Sequence, residues 1–183
     1  MPRPTLARVI ALALAVAVST ALVAPALGEP AQDSQSRVTL RMIGGVKFKA
    51  NRFVSDTVRY AKDVVNIDSG GRLTIQDRTR QPHTLSLVKR SQVPRNARQM
   101  EGCFGKGPCD ELAVDHGAIN PDTGEEQDPT TPLVNKGPDG FNRPGDSVVI
   151  PPRQKATVRV TGNKDLFYIC AIHPWMQGRL NVD

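Results

Sequence analysis

The stretch LFYICAIHPWMQGRLNV, residues 166–182, places a thiol, an imidazole and a thioether within seven residues near the end of the chain. Its first five residues are apolar on both faces, which is typical of a short strand covered on both sides. The last four residues alternate, so RLNV predicts a second strand. Between the two strands lie Cys170, His173 and Met176, together with Trp175, the only tryptophan of the protein. The stretch therefore predicts two strands joined by a loop that is rich in soft metal ligands.

Outward from this stretch, the chain repeats short apolar segments that Gly and Pro residues separate. In HTLSLV, the alternation places His83 on one face with Leu85 and Leu87. Six to eight short strands with little helix predict an all-β fold, an antiparallel sandwich or barrel. The further candidate strands are RVTLRMIG (37–44), RLTIQ (72–76), HTLSLV (83–88), VVI (148–150) and ATVRV (156–160).

Residues 91–145 break this rhythm and predict a long irregular insertion. They hold eight of the 15 glycines and seven of the 15 prolines, with nine acidic and five basic side chains, a net charge of −4. So long a connection is either a functional loop or a loosely ordered insertion, although RNARQME within it could form a short helix. In an exported protein, Cys103 and Cys109 of CFGKGPC predict a small disulfide loop.

The first 28 residues have the pattern of a secretory signal peptide. Two arginines precede an apolar run, and ALG at 26–28 is a small-residue cleavage site. An uncleaved membrane anchor is the alternative, but the run of about 16 residues is shorter than the ~20 of a bilayer span. We expect residues 29–36 to be a disordered terminus and residues 37–183 to form one domain. The mature form is then exported to the periplasm or the cell exterior, without a membrane span.

The formal net charge of +6 is spread over 183 residues. The chain has neither a run of Lys and Arg nor a basic patch interleaved with aromatic residues. These are the features of nucleic-acid-binding surfaces, so nucleic acid is excluded as a class of partner.

Cys170 has no partner once Cys103 and Cys109 are paired, and an odd cysteine in an exported protein needs a reason. The alternatives are a reactive thiol, an intermolecular bridge, a metal bond or a small buried residue. Thiolate and thioether are soft ligands and imidazole is intermediate. Cys170, His173 and Met176 therefore favour copper over calcium, magnesium or manganese. Zinc accepts Cys and His but seldom Met.

A blue copper site needs a second histidine, and the chain has two besides His173. His83 begins an alternating strand and follows a proline, which makes it the better candidate. His116 lies in the acidic insertion, where an exposed or locally bonded loop residue is the simpler interpretation. A secondary metal or partner contact is the alternative for His116. The predicted ligands are therefore His83, Cys170, His173 and Met176.

Two segments resemble the cupredoxins, the small blue copper proteins that include amicyanin and plastocyanin. They are GRLTIQDRTRQPHTLSLV (71–88) and RPGDSVVIPPRQKATVRVTGNKDLFYICAIHPWMQGRLNV (143–182). The resemblance implies an eight-stranded Greek-key β-sandwich with one copper ion at one end, held by the four predicted ligands. Many of these proteins have Asn after the first histidine, where it ties the two ligand loops together. This chain has Thr84, whose hydroxyl has a shorter reach, and its insertion has no counterpart in the small members of the family.

Together, the ligand set and the resemblance predict an electron carrier and not an enzyme. Three histidines are too few for multicopper oxidases or copper nitrite reductases, and a dinuclear centre would need a second cysteine four residues from Cys170. A copper carrier or storage protein is the alternative, and the insertion could also recognise a partner in an accessory or sensor role. We expect a monomer that docks transiently on redox partner proteins through Ile172, His173, Pro174 and Trp175.

Overall fold

The computed structural model describes residues 36–117, 120, 122–125 and 129–183. The predicted signal peptide, and all of the predicted disordered terminus except Ser36, lie outside the described residues. Across the described ranges, every helix is too short or too polar to cross a membrane.

Within these ranges the chain forms twelve strands, two α-helices and one 3-10 turn. The strands are β1 (Arg37–Ile43), β2 (Val46–Lys49), β3 (Phe53–Asp56), β4 (Arg59–Tyr60), β5 (Val64–Ile67), β6 (Arg72–Asp77), β7 (His83–Val88), β8 (Leu133–Asn135), β9 (Ser147–Ile150), β10 (Lys155–Arg159), β11 (Leu166–Ile169) and β12 (Gln177–Val182). The 3-10 turn (Arg90–Gln92) and the helices α1 (Ala97–Glu101) and α2 (Pro108–Asp115) lie between β7 and β8.

Two larger sheets form the two layers of a sandwich. One sheet has the strand order β10-β6-β1-β4, and the other has the order β5-β12-β11-β7-β9-β8. This non-sequential order is that of a Greek key, and the predicted all-β sandwich is confirmed. The expectation of purely antiparallel pairing is wrong for two pairs, because β1 with β6 and β5 with β12 run in parallel. Parallel neighbours need a crossover, which the intervening segments supply.

The main core lies between the two larger sheets. On β6, Leu73 and Ile75 are buried and Arg72 is exposed, as the alternation predicted. Residues of both sheets join in one apolar cluster, so the two sheets share a single core. Its largest fully buried side chains are Tyr168, Phe141, Leu40, Met42, Ile67, Leu73, Ile75, Leu85, Leu87, Ile150 and Met176.

Strand β7 is buried on both faces, whereas its alternation predicted one buried face. Leu85 and Leu87 pack in the main core. Thr84, Ser86 and Val88 face the other side and are buried as well. The insertion contacts two of them, since His116 lies against Ser86 and Val88 packs with residues of the insertion. In a second apolar cluster, three residues of the insertion pack against residues of β7, β11 and the ligand loop: Val88, Cys103, Cys109, Leu112, Ile169 and Ala171.

The insertion is more ordered than the sequence predicted. Helix α1 falls within RNARQME, as expected, but α2 and β8 were not predicted. The disulfide between Cys103 and Cys109 is confirmed, with an S–S distance of 2.03 Å. Pro108 is the first residue of α2, where the backbone N–H has no partner within the helix, so proline loses no hydrogen bond there. Two acidic residues in the first turn interact favourably with the positive end of the helix dipole. β8 pairs with β9 and extends the six-stranded sheet.

The hairpin of β2 and β3 stands apart from both sheets. Its strands are mostly exposed, and Phe48 keeps 74% of its surface accessible. The last residue of β3, Asp56, is half-buried, and its carboxylate lies close to His173, one of the predicted ligands.

Candidate metal centre

The pairing of β7 with β11 brings the first two predicted ligands together. Ile169 of β11 is the partner of Ser86 in the antiparallel register, so the chain leaves β11 beside the start of β7. His83 is the first residue of β7, and Cys170 follows the last residue of β11. The Thr84 amide donates a hydrogen bond to Cys170 Sγ at 3.3 Å. The two ligands are therefore placed by the sheet itself.

Three ligand atoms from His83, Cys170 and His173 converge in a buried pocket of the fold. The two Nδ1 atoms are 3.1 Å apart, and each lies 3.8 Å from Cys170 Sγ. His83 and Cys170 are 0% exposed and His173 is 7% exposed. The thiol and both imidazoles thus present their ligating atoms to one point from which water is largely excluded.

The triangle of these atoms has the dimensions of a metal site. A point in its plane about 2.0 Å from both nitrogens lies about 2.2 Å from the sulfur, by trigonometry from the three edges. Zinc bonds in proteins are about 2.0–2.1 Å to His and about 2.3 Å to Cys, so one transition-metal ion fits without rearrangement. Two histidines and one cysteine in a plane are the donor set of a blue copper site. His83, Cys170 and His173 form a candidate copper site.

Thr79 fixes the tautomer of His83. Its hydroxyl lies 3.0 Å from the Gln81 carbonyl oxygen, which can only accept, so the hydroxyl hydrogen points there. His83 Nε2, 2.9 Å from the same hydroxyl oxygen, must then be the protonated nitrogen and donate to it. This leaves the Nδ1 lone pair free to ligate, as metal-binding histidines require. Thr79 was not predicted from the sequence, because its contact with His83 is created by the turn before β7.

His173 has a different partner on its outer nitrogen. Its Nε2 lies 3.8 Å from the Asp56 carboxylate at the end of β3, which favours a hydrogen on that nitrogen. The ring also packs edge-on against Trp175, with centroids 5.1 Å apart, and the Trp175 indole donates to the Val58 carbonyl at 3.1 Å. Asp56 carries no sequence signal, because the hairpin that brings it here was not predicted.

Burial controls the protonation of the ligands. It lowers the pKa of His83 to about 3, with the neighbouring His173 as the second cause. Burial also lowers the pKa of His173, an effect that Asp56 opposes. It raises the pKa of the Cys170 thiol, while hydrogen bonds led by the Thr84 amide act in the opposite direction. Two neutral imidazoles and a buried thiol suit a bound cation, which would convert the thiol to thiolate.

Met176 closes the ligand loop through its backbone. The Cys170 amide donates to the Met176 carbonyl at 2.9 Å, and the Met176 amide donates to the His173 carbonyl at 2.8 Å. Its side chain is buried in the same core cluster as Cys170. The role of its thioether as the fourth ligand stays a prediction.

Five further residues were singled out from the sequence: Thr84, Ile172, Pro174, Trp175 and His116. Thr84 does tie the two ligand segments together, because its hydroxyl accepts a hydrogen bond from the Ala171 amide at 2.8 Å. Of the predicted docking residues, Ile172 and Trp175 are 39% and 41% exposed, but Pro174 is buried behind them. His116 lies outside the ligand triangle, and its expected exposure is wrong, since the insertion folds it down onto β7.

Comparison with known proteins identifies similar structures and no sequence relatives. No protein-family description matches the chain, and no curated protein matches it. The purple cupredoxin from Nitrosopumilus maritimus is 11% identical, with 79% of this chain and 98% of that one covered at a TM-score of 0.43. Auracyanin from Roseiflexus castenholzii is 13% identical, with 81% and 97% covered at a TM-score of 0.42. Auracyanin A from Chloroflexus aurantiacus is 17% identical, with 81% and 100% covered at a TM-score of 0.40.

Amicyanin structures are matched as well. The matched structures named here are therefore all cupredoxins, the family that the two sequence segments resemble. With identities of 17% or less and TM-scores of 0.43 or less, they are distant, and the sandwich is established by the strand pairing of this chain.

Proposed function

We propose that this chain is an exported blue copper protein of the cupredoxin family that carries single electrons between redox partners. The observation that supports it most is the triangle of His83 Nδ1, His173 Nδ1 and Cys170 Sγ, with edges of 3.1, 3.8 and 3.8 Å in a buried site. Met176 completes the proposed ligand set. When bound there, copper would supply a one-electron Cu(II)/Cu(I) couple.

The residues around the triangle suit electron transfer because they hold the ligands still. Thr79 orients the His83 ring, the Thr84 amide holds the Cys170 sulfur, and backbone hydrogen bonds of Met176 close the loop. Ligand atoms fixed in this way shift little when the charge at the centre changes by one. A small rearrangement between two charge states keeps the barrier to electron transfer low.

The proposed route for the electron is the outer edge of His173. Its side chain is the one ligand of the triangle with measurable exposure, and Ile172 and Trp175 beside it are the exposed apolar residues of the ligand loop. Such a patch suits brief contact with a redox protein. Pro174, although buried, contributes stiffness, because its ring fixes one backbone angle of the loop.

The burial of the ligands favours electron transfer over copper delivery. A protein that hands its metal to another needs ligands that an acceptor can reach, whereas His83 and Cys170 are fully buried. The proposed carrier would be a monomer in the periplasm or at the cell exterior, with no enzymatic step of its own.

Copper loading of the purified protein tests the proposal. Addition of one equivalent of Cu(II) should produce intense thiolate-to-copper absorption in the visible range and a reversible one-electron wave in voltammetry. Cys170→Ser should remove the absorption, while the double variant Cys103→Ser, Cys109→Ser should retain it. A colourless protein that releases Cu(I) readily to a competing chelator would instead support the delivery function.

The choice of the second histidine has its own test. His83→Ala should remove the visible absorption, and His116→Ala should keep an absorption band of thiolate character. If His83→Ala kept the band and His116→Ala lost it, the ligand assignment would be wrong.

A further inference from the structure

A chain of hydrogen bonds leads from the insertion to the loop that carries Cys170. His116 Nε2 lies 3.4 Å from Ser86 Oγ, and Ser86 Oγ lies 3.0 Å from Thr84 Oγ1. Thr84 Oγ1 accepts from the Ala171 amide, the residue after Cys170. All of the side chains in this chain are buried. It links a residue at the end of α2 to the residue next to the metal ligand.

In one arrangement of hydrogens, each hydroxyl of this chain donates outward, away from the ligand loop. Thr84 Oγ1 already accepts from Ala171, and its own hydrogen has Ser86 Oγ as the acceptor within reach. Ser86 then donates to His116 Nε2, which must be unprotonated. The remaining hydrogen of His116 is therefore on Nδ1.

The outer end of the chain opens on a cavity. Among the described residues, His116 Nδ1 and Ser147 Oγ are buried and have no hydrogen-bond partner. Both side chains line a cavity of about 300 Å³, which Leu133, Val134 and Asn135 also line. This space is ample for an acceptor of the size of a water molecule, which would satisfy the Nδ1 hydrogen. In the opposite arrangement, His116 Nε2 would donate to Ser86 and Ser86 to Thr84, and the Thr84 hydroxyl would donate to the Cys170 sulfur. Both arrangements keep the chain of hydrogen bonds between His116 and the ligand loop intact.

We propose that His116 is a positioning residue for the metal centre and that, through Ser86 and Thr84, it holds the segment that carries Cys170. The inference rests on the proposed copper site for its effect on metal binding, but the effect on the loop itself exists without metal. It assigns the insertion a role: the residue that follows α2, His116, supports the ligand loop through β7. Residues that orient metal ligands from outside typically contribute about 10–100-fold to metal affinity.

The variants His116→Leu, His116→Gln, Ser86→Ala and Ser147→Ala test this role. Gln can still accept from Ser86, whereas Leu fills similar space without an acceptor. Ser147→Ala changes the same cavity but breaks no bond of the chain. The readouts are the hydrogen-exchange rate of the Ala171 amide in the metal-free protein and the affinity for copper in competition with a chelator.

We expect His116→Leu and Ser86→Ala to speed Ala171 exchange and to weaken copper binding, each by about tenfold. If a variant changed the affinities for Cu(II) and Cu(I) by factors that differ tenfold, the reduction potential would shift by about 59 mV. His116→Gln and Ser147→Ala should stay close to the unaltered protein in both readouts.

Unchanged exchange and unchanged affinity in both His116→Leu and Ser86→Ala would overturn the inference. So would equal effects from His116→Leu, His116→Gln and Ser147→Ala, which would mean that the region only needs to be well packed. If the unaltered protein bound no copper, the proposed function would fail, and Ala171 exchange would still decide the role of His116. Should His116→Leu not fold, Ser86→Ala and His116→Gln carry the same comparison.

Discussion

The ligand loop between β11 and β12 and the insertion at 91–145 pack against the same neighbouring strands, but only the loop could be understood from the sequence. In the loop, a thiol, an imidazole and a thioether occur within seven residues, so the chemistry is visible locally. In the insertion, Phe141 and His116 are buried, and each forms a hydrogen bond with a residue that is distant in sequence. The Phe141 amide donates to the Arg159 carbonyl, and His116 Nε2 pairs with Ser86 Oγ. Local chemistry can be recognised in a sequence, and non-local packing cannot.

Strand β7 shows how both regions depend on one element. Leu85 and Leu87 face the core between the sheets, and Ser86 and Val88 face the insertion. His83 begins the strand, and Thr84 contacts both regions. The Thr84 amide donates to the Cys170 sulfur, and the Thr84 hydroxyl forms a hydrogen bond with Ser86, which faces the insertion. We therefore expect substitutions in the insertion to lower the stability of the protein while the three ligands of the triangle still bind the metal.

Truncation of Phe141 should have the largest effect on stability. Its side chain is 0% exposed in the main core, so Phe141→Ala should lower the free energy of unfolding by about 3–5 kcal/mol. Phe104→Ala, at a residue of the insertion that is 45% exposed, is the matched control and should change it by less than about 0.5 kcal/mol. Urea unfolding of the metal-free protein measures both. Similar small losses in the two variants would show that the segment before β9 is not part of the core.

Removal of the Thr79 hydroxyl should have the next largest effect, on the metal and not on the insertion. Thr79→Val frees the His83 ring to adopt the other tautomer, and we expect copper affinity to fall about 10–100-fold. Thr79→Ser keeps the hydroxyl and should retain most of the affinity. Competition with a chelator measures this ratio. Equal losses in the two variants would assign the effect to the packing of this side chain and not to the tautomer.

The fold and the site differ in how much of each the sequence predicted. The seven predicted strands exist because apolar alternation and Gly or Pro breaks are local signals. The hairpin of β2 and β3 was missed because each strand has only four residues, too short a run for an alternating pattern to be distinctive. At the site, donor chemistry identified the three converging ligands, whereas Asp56 and Thr79 act through contacts that only the fold creates. Sequence reasoning thus finds groups that are chemically unusual and misses ordinary groups in unusual places.

Loss of the disulfide should have a smaller effect. The ring closed by Cys103 and Cys109 spans a sequence separation of only six residues, so its removal should cost about 2 kcal/mol of stability. The second apolar cluster, which contains both cysteines, would loosen on the outer face of β7. Unfolding of the double variant Cys103→Ser, Cys109→Ser measures the cost, and its visible spectrum with copper should be retained. A lost spectrum would mean that the insertion supports the thiolate more directly than the ligand triangle indicates.

Per pH unit, the smallest effect we expect is on the pH dependence of stability, and it separates the two regions by their histidines. Burial lowers the pKa of His116 to about 4, against about 6.5 in an unfolded chain. Between these values the unfolded state binds a proton that the folded state does not, so stability falls as the pH falls from about 6.5 to about 4. His116→Gln removes this contribution. The metal-free variant should lose stability less steeply in this window, by up to about 1.4 kcal/mol per pH unit. Ser147→Ala should keep the original slope, and an unchanged slope in His116→Gln would mean that His116 takes up its proton without unfolding.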